Sequence, residues 1–248
     1  MPSHTHHALL DTLKNGIIVS VQAEQHEPFY QDSPFLAMVE SVLNGGARGL
    51  RLAGAHHIQL VRQHFGADIP IIGITKPEPL PKNWQEIVYI TPTMLEVSQL
   101  VDAGAPIIAI DATQRPRPDG VSLPNFVKSI RESYPELLIM ADISTLEEGH
   151  YAESLGLDLI STTLSGYTQE SQKTAHSTEP DFTLLKALVT TCQTPVVLEG
   201  RIWTPEHVEK AYALGAFSVV IGSAITRPHQ ITKRFVSAQH SESCVRNP

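Results

Sequence analysis

Apolar residues in this chain come in short unbroken runs, and most runs end on a charged residue or on glycine. Ile71-Ile72-Gly73-Ile74-Thr75 leads to Lys76, Ile107-Ile108-Ala109-Ile110 to Asp111, and Leu137-Leu138-Ile139-Met140-Ala141 to Asp142. Val196-Val197-Leu198 leads to Glu199-Gly200-Arg201, and Val219-Val220-Ile221 to Gly222-Ser223. Such runs mark parallel strands buried on both faces, because crossover helices cover the sheet twice. Chemistry in barrel folds gathers where the strands end, so the terminal residues are the candidates for a site.

Between the runs, helical stretches close on glycine. Gly45-Gly46, Gly104, Gly156 and Gly215 each stand a few residues before a strand. Glycine accepts the left-handed conformation that ends a helix, after which a short loop drops into the sheet. Pro70, Pro106 and Pro195 stand just before apolar runs, the one strand position where a missing N–H is tolerated. Helix starts are predicted at Ser144-Thr145-Leu146-Glu147-Glu148 and at Thr204-Pro205-Glu206, where a hydroxyl cap precedes carboxylates or proline.

Eight strands are predicted, near 17–22, 48–52, 70–75, 107–111, 137–142, 158–163, 195–199 and 218–222. Eight βα units in 248 residues predict a single-domain α/β fold, the (β/α)8 TIM barrel. The rival is an open doubly wound sheet, which would carry a glycine-rich turn after its first strand. Ala23-Glu24-Gln25-His26-Glu27-Pro28 stands there instead. Ile87-Val88-Tyr89-Ile90 predicts an additional short strand. The barrel is expected over 10–237, with loose ends at 1–9, where His4, His6 and His7 crowd together, and at 238–248.

Composition narrows the function. The formal net charge of −8 argues against nucleic acid, which needs a clustered basic face. It leaves a phosphorylated substrate open, because a few local donors decide such binding. Cys192 and Cys244 are too few for a disulfide framework, and their spacing matches no metal site. No run approaches membrane-spanning length, and no signal-peptide core is present; a cytoplasmic protein is expected. A homodimer is an association that barrels commonly adopt.

Lys76 leaves its strand toward the barrel mouth, where it serves as a general base, a Schiff-base nucleophile or an electrostatic clamp. An ordinary lysine, at ~10.4, is too basic to act as an efficient base near neutrality. Burial and a neighbouring cation such as Arg51 lower it, whereas a nearby Glu199 acts the other way. Asp142 and Glu199 are carboxylates fit to orient hydroxyls, position the lysine or shuttle a proton, or to act as a hydrolase pair. Gly200-Arg201 and Gly222-Ser223, with Arg227, have the make-up of a phosphate cup after the last two strands. Asp111, with Arg115-Pro116-Arg117-Pro118-Asp119-Gly120, reads either as a substrate loop or as a salt-bridged rim.

Several of these segments, taken together, resemble the N-acetylmannosamine-6-phosphate 2-epimerases, a family of ribulose-phosphate-binding barrels. They include Gly16-Ile17-Ile18-Val19-Ser20-Val21-Gln22-Ala23, the Lys76 run, Tyr89-Ile90-Thr91-Pro92-Thr93 and Met140-Ala141-Asp142-Ile143-Ser144-Thr145. Asp111-Ala112-Thr113 with Arg117-Pro118-Asp119-Gly120, Ser161-Thr162-Thr163-Leu164-Ser165-Gly166-Tyr167-Thr168, Glu199-Gly200-Arg201-Ile202 and Ala224-Ile225-Thr226-Arg227-Pro228 complete the set. The resemblance implies interconversion of N-acetylmannosamine 6-phosphate and N-acetylglucosamine 6-phosphate in sialic-acid catabolism, without metal or redox cofactor. It implies Lys76 as the acid/base, Glu199 as its partner, and Gln22, Arg51, Asp142 and Arg201 as substrate contacts. Gly200, Gly222, Ser223 and Arg227 are implied at the phosphate end. One position departs from the family pattern: Pro77 follows the lysine where a charged residue is common. The competing readings are a Schiff-base aldolase-type lyase and a non-catalytic barrel that binds a sugar phosphate.

Overall fold

The computed structural model describes residues 4–174 and 177–239, with side chains for 8–173 and 177–239. Eight strands pair in parallel in chain order, and the last pairs with the first to close a barrel. They are β1 (Ile17–Val21), β2 (Gly49–Ala53), β3 (Ile71–Ile74), β4 (Ile107–Asp111), β5 (Leu138–Asp142), β6 (Leu159–Ser161), β7 (Val196–Glu199) and β8 (Ser218–Ile221). Helix α1 (His4–Leu13) precedes the barrel. The outer ring holds α2 (Asp32–Asn44), α3 (Ala55–Phe65), α4 (Met94–Asp102), α5 (Leu123–Ser133), α6 (Leu146–Ser154), α7 (Phe182–Thr191) and α8 (Pro205–Ala213). After β8 come the single turn α9 (Ser223–Thr226) and α10 (Pro228–Gln239).

All eight predicted strands are present, and the local signals explain their ends. Gly46, Gly104, Gly156 and Gly215 adopt φ of 96°, 95°, 73° and 94°, the left-handed stop the sequence predicts. Pro70, Pro106 and Pro195 give no N–H, yet their carbonyls accept from Leu50, Leu138 and Ile160 on the neighbouring strands. Thr145 caps α6 in a reciprocal box with Glu148. Proline opens α8 behind Thr204, although that hydroxyl makes no cap bond.

Two expectations are corrected. Ile87-Val88-Tyr89-Ile90 is not a strand: it is buried, but its N–H groups go to loop partners. The Val88 N–H donates to the Pro116 carbonyl (3.1 Å) and the Tyr89 N–H to the Asp111 carboxylate (3.4 Å). The apolar pattern reports burial over the barrel mouth, not a ladder. Residues 4–9 belong to α1, so the ordered chain starts earlier than residue 10; Leu9, Leu10 and Leu13 pack against the barrel interior at its lower end. Residues 1–3 and 240–248, with Cys244, lie outside the described residues.

The pleat divides each strand. Val19, Leu50, Ile71, Ile108, Ile139, Ile160, Leu198 and Val219 face the helices, whereas Ile18, Ile72, Ile107, Met140, Leu159, Val197 and Val220 fill the barrel. Side chains alternate along a strand, so the inward parity continues upward. It runs from Ile18 to Ser20 and Gln22, Ile74 to Lys76, Met140 to Asp142, Leu159 to Ser161 and Thr163, and Val197 to Glu199. The polar mouth is the top layer of the same stack.

The helical ring is incomplete on one side. Between α2 and α8, the outer faces of β1 and β8 line an apolar groove of about 760 Å³, with Val19, Met38, Val42, Val208 and Ile221 in its walls. Helix α10 buries none of its residues, leaving Phe235 73% and Val236 47% exposed. Its Arg234 lies over the Trp203 ring (4.1 Å).

Candidate active site

Arg51 organises the mouth. Its side chain is fully buried, with Nη2 2.5 Å from Asp142 Oδ2 and Nη1 3.1 Å from Asp142 Oδ1. Nη1 also lies 3.2 Å from Glu199 Oε2. A bidentate pair across the barrel, from β2 to β5, fixes the guanidinium plane. Burial opposes the charge, but Asp142 and Glu199 outweigh it and hold Arg51 above its ordinary value.

Lys76 stands two residues beyond β3, its Nζ 3.0 Å from Gln22 Oε1, while Gln22 Nε2 donates to Ser20 Oγ (2.6 Å). Desolvation in the crowded mouth, reinforced by Arg51, lowers the ammonium pKa to about 8; Glu199 and Asp142 oppose the shift. Those are the directions the sequence predicts. The lysine is exposed to the mouth cavity, so a ligand that fills this space strengthens the desolvation. Glu199 moves the other way: burial raises it, Arg51 restrains it and Asp142 adds to it. A base brought down and an acid brought up, in one cavity, form the pattern of acid–base catalysis near neutral pH.

That cavity measures about 390 Å³, within the range of small-molecule sites. Lys76 and Glu199 line it together with Gly222, Ser223 and Arg227. Thr226 Oγ1 donates to the Ser20 carbonyl (2.9 Å), which ties α9 to β1. Arg227 reaches back to the Gln22 carbonyl and to Glu27, each at 3.0 Å. Gly200 and Arg201 both take positive φ, 104° and 58°, in a sharp turn at the end of β7.

A family model described as "Putative N-acetylmannosamine-6-phosphate epimerase" matches residues 35–241. The chain belongs to this family. A relative from Caldanaerobacter subterraneus subsp. tengcongensis, named "Putative N-acetylmannosamine-6-phosphate 2-epimerase", is 47% identical over 232 residues, 92% of this chain and 93% of its own. A Clostridium perfringens relative of the same name is 46% identical over 228 residues, 92% of this chain and 98% of its own. The solved N-acetylmannosamine-6-phosphate 2-epimerase of C. perfringens superposes with a TM-score of 0.85 at 45% identity, covering 96% of this chain and 99% of that one. A thiamine phosphate pyrophosphorylase from Pyrococcus furiosus, at 17% identity and a TM-score of 0.56, shares the fold alone.

The barrel brings Gln22, Lys76, Glu199, Gly200, Arg201, Gly222, Ser223 and Arg227 to one mouth; Arg51 and Asp142, implied as substrate contacts, instead lie beneath it without exposure and pair with each other. Arg201 is partly occupied: Nε donates to the Glu179 carbonyl (2.8 Å) and Nη1 to the Ser165 carbonyl (3.0 Å), pinning the loop between β6 and α7. Asp111 forms the rim. Its carboxylate pairs with buried Arg115 (2.6 Å), and Arg117 donates to the Asp111 and Pro92 carbonyls. Thr163, Tyr89 and Tyr167 also line the cavity and were not among the expected residues. Only strand parity carried forward from Leu159 would have pointed to Thr163. Among the described residues, the one trio that could ligate a metal is Glu24, His26 and Glu78, exposed on the loops after β1 and β3. Cys192 is a buried free thiol.

Proposed function

We propose that the protein is an isomerase interconverting N-acetylmannosamine 6-phosphate and N-acetylglucosamine 6-phosphate, a step of sialic-acid and amino-sugar catabolism. The observation that carries the reading is the low-pKa amine of Lys76 facing a raised Glu199 in the cavity that also holds Gly222, Ser223 and Arg227. Carbon 2 must lose its proton and regain it on the other face. The open-chain sugar supplies the carbonyl that acidifies this carbon. Lys76 takes the proton and Gln22 stabilises the enolate from the cavity wall, while Arg51, buried beneath with its hydrogen bonds given to Asp142, contributes its positive charge. Asp142 holds Arg51 in place, and Glu199 assists the lysine. The glycine-permitted turns at Gly200 and Gly222-Ser223, with Arg227, seat the phosphate; Arg201 adds charge while clamping its loop.

A base with a pKa of about 8 predicts that kcat/KM climbs about tenfold per pH unit below that value and levels above it. A pH–rate profile by coupled assay checks this. A limb that stays near ordinary lysine, at 10.5, would remove Lys76 as the tuned base.

The working form is a homodimer that covers the apolar groove and the exposed face of α10. Phe235→Ser is expected to shift a dimer toward monomer in light scattering, and a monomeric parent protein would end this reading. The setting is cytoplasmic; it is supported by the buried thiol of Cys192 and by the lack, among the described residues, of a helix long and apolar enough to cross a membrane.

A further inference from the structure

Thr163 sits in the 3-10 turn Thr162–Leu164 that ends β6, with its hydroxyl between the two mouth carboxylates. Oγ1 lies 2.7 Å from Asp142 Oδ1, 2.9 Å from Glu199 Oε2 and 2.8 Å from Ser161 Oγ. All three distances lie in the hydrogen-bond range, and Ser161 Oγ also stands 3.5 Å from Glu199 Oε2. A hydroxyl owns one proton and two lone pairs. It therefore donates once and accepts twice, so two of its three neighbours must be donors. Ser161 is able to donate. Asp142 is the ionised partner of Arg51, in a two-point pair with no exposure. The remaining donor is Glu199. The guanidinium donates to Asp142 and to the Met140 sulfur, and Glu199 has only the charge contact with it at 3.2 Å.

We infer that Thr163 is a positioning residue that fixes where the mouth keeps its mobile proton: it donates to Asp142 and accepts from Glu199, so Glu199 rests as a carboxylic acid. Glu199 is faced by Arg51 from β2, Lys76 beyond β3, Asp142 from β5 and the hydroxyls of Ser161 and Thr163; Arg201 and Arg227 line the same cavity. Once the Lys76 ammonium has given up its proton, near pH 8, Lys76 and Glu199 hold one proton between them. It sits either on the amine, giving two opposite charges in one cavity, or on the carboxyl, giving two neutral groups. Epimerisation by Lys76 needs the second arrangement, because only the free amine removes a proton. An acceptor held against the acid form favours that form, which tips the pair toward the reactive state. The balance is internal. When the amine takes the C2 proton and the carboxyl releases its own, the pair has only exchanged one arrangement for the other, and transfer between the two residues resets it. The sugar leaves with the number of protons it brought.

The catalytic part of this inference rests on the epimerase reading, whereas the proton's position does not. The test is infrared spectroscopy of the protein without substrate at pH 7, as a difference against Glu199→Gln. A protonated-carboxyl C=O band that depends on Glu199 is expected in the parent and in Thr163→Ser, and is expected to be lost or strongly reduced in Thr163→Val, which keeps the shape without the hydroxyl. Thr163→Val is also expected to lower kcat about 10–100-fold with KM within about threefold, and Thr163→Ser to restore it. No Glu199-dependent band in the parent, or an equal band in Thr163→Val, would overturn the inference. Bands as expected in a protein that turns over neither amino-sugar phosphate would instead count against the epimerase reading alone.

Discussion

Lys76→Met is expected to abolish measurable epimerisation, a loss of about 10²–10⁴-fold from removing the acid–base group, while binding of either sugar phosphate by calorimetry stays within about threefold. Methionine is of similar length and removes only the amine. Gln22 loses the partner at 3.0 Å, but the Arg51–Asp142 pair and the turns at Gly200 and Gly222 are untouched. The fold has an independent stake in this residue. A lysine lowered to about 8 in the folded state and left at its ordinary 10.5 in the unfolded chain binds fewer protons when folded between those values. Stability therefore rises with pH across that window, and below it the folded state carries the full cost of the crowded charge. Lys76→Met is thus expected to melt above the parent at pH 7, by a margin that narrows as pH rises from 8 toward 10.5. A variant that is inactive and also less stable at pH 7 would mean that the loss came from damage to the mouth.

Arg51→Met has the opposite signature and the largest structural effect. The guanidinium is wholly buried and holds Asp142 at two points and Glu199 at 3.2 Å. Taking it away leaves Asp142 charged beside Glu199 and the hydroxyls of Ser161 and Thr163, with Lys76 as the cation still acting on Glu199. Breaking a buried pair from one side costs about 3–5 kcal/mol, because the partner charge stays behind. For a chain of this size that lowers the melting temperature by about 10 °C. Urea unfolding measures it. The double variant Arg51→Met/Asp142→Asn is expected to recover part of the loss, since the abandoned charge is then gone. Recovery separates a charge effect from a packing effect over Met140, whose sulfur lies 3.8 Å from Nη1.

The barrel was legible because its signals are local. Each strand is an unbroken apolar run bounded by a glycine stop or a proline start, and each signal has a steric cause that no neighbour overrides. Lys76, Asp142 and Glu199 were legible for the same reason: they end such runs. The family resemblance added Gln22, which no pattern marks. Thr163 stayed hidden because the sixth strand breaks into a 3-10 turn at Thr162, and a threonine beside a strand end has no distinctive chemistry until two carboxylates converge on it. Ile87-Val88-Tyr89-Ile90 misled for a related reason. Apolar periodicity reports burial, and a loop folded over the mouth is buried as completely as a strand. Arg115 and Arg117 looked available to a substrate, but their partners are the Asp111 carboxylate and the Asp111 and Pro92 carbonyls, contacts that only the folded rim creates.

The proposed reaction turns on one event, the breaking of the C2–H bond of an amino-sugar phosphate by the amine of Lys76. Proton NMR of N-acetylmannosamine 6-phosphate with the protein in D2O tests it directly. N-acetylglucosamine 6-phosphate is expected to appear with deuterium at C2, and both product and label to vanish with Lys76→Met. Product formed with its C2 proton intact, or labelled product from the methionine variant, would contradict it.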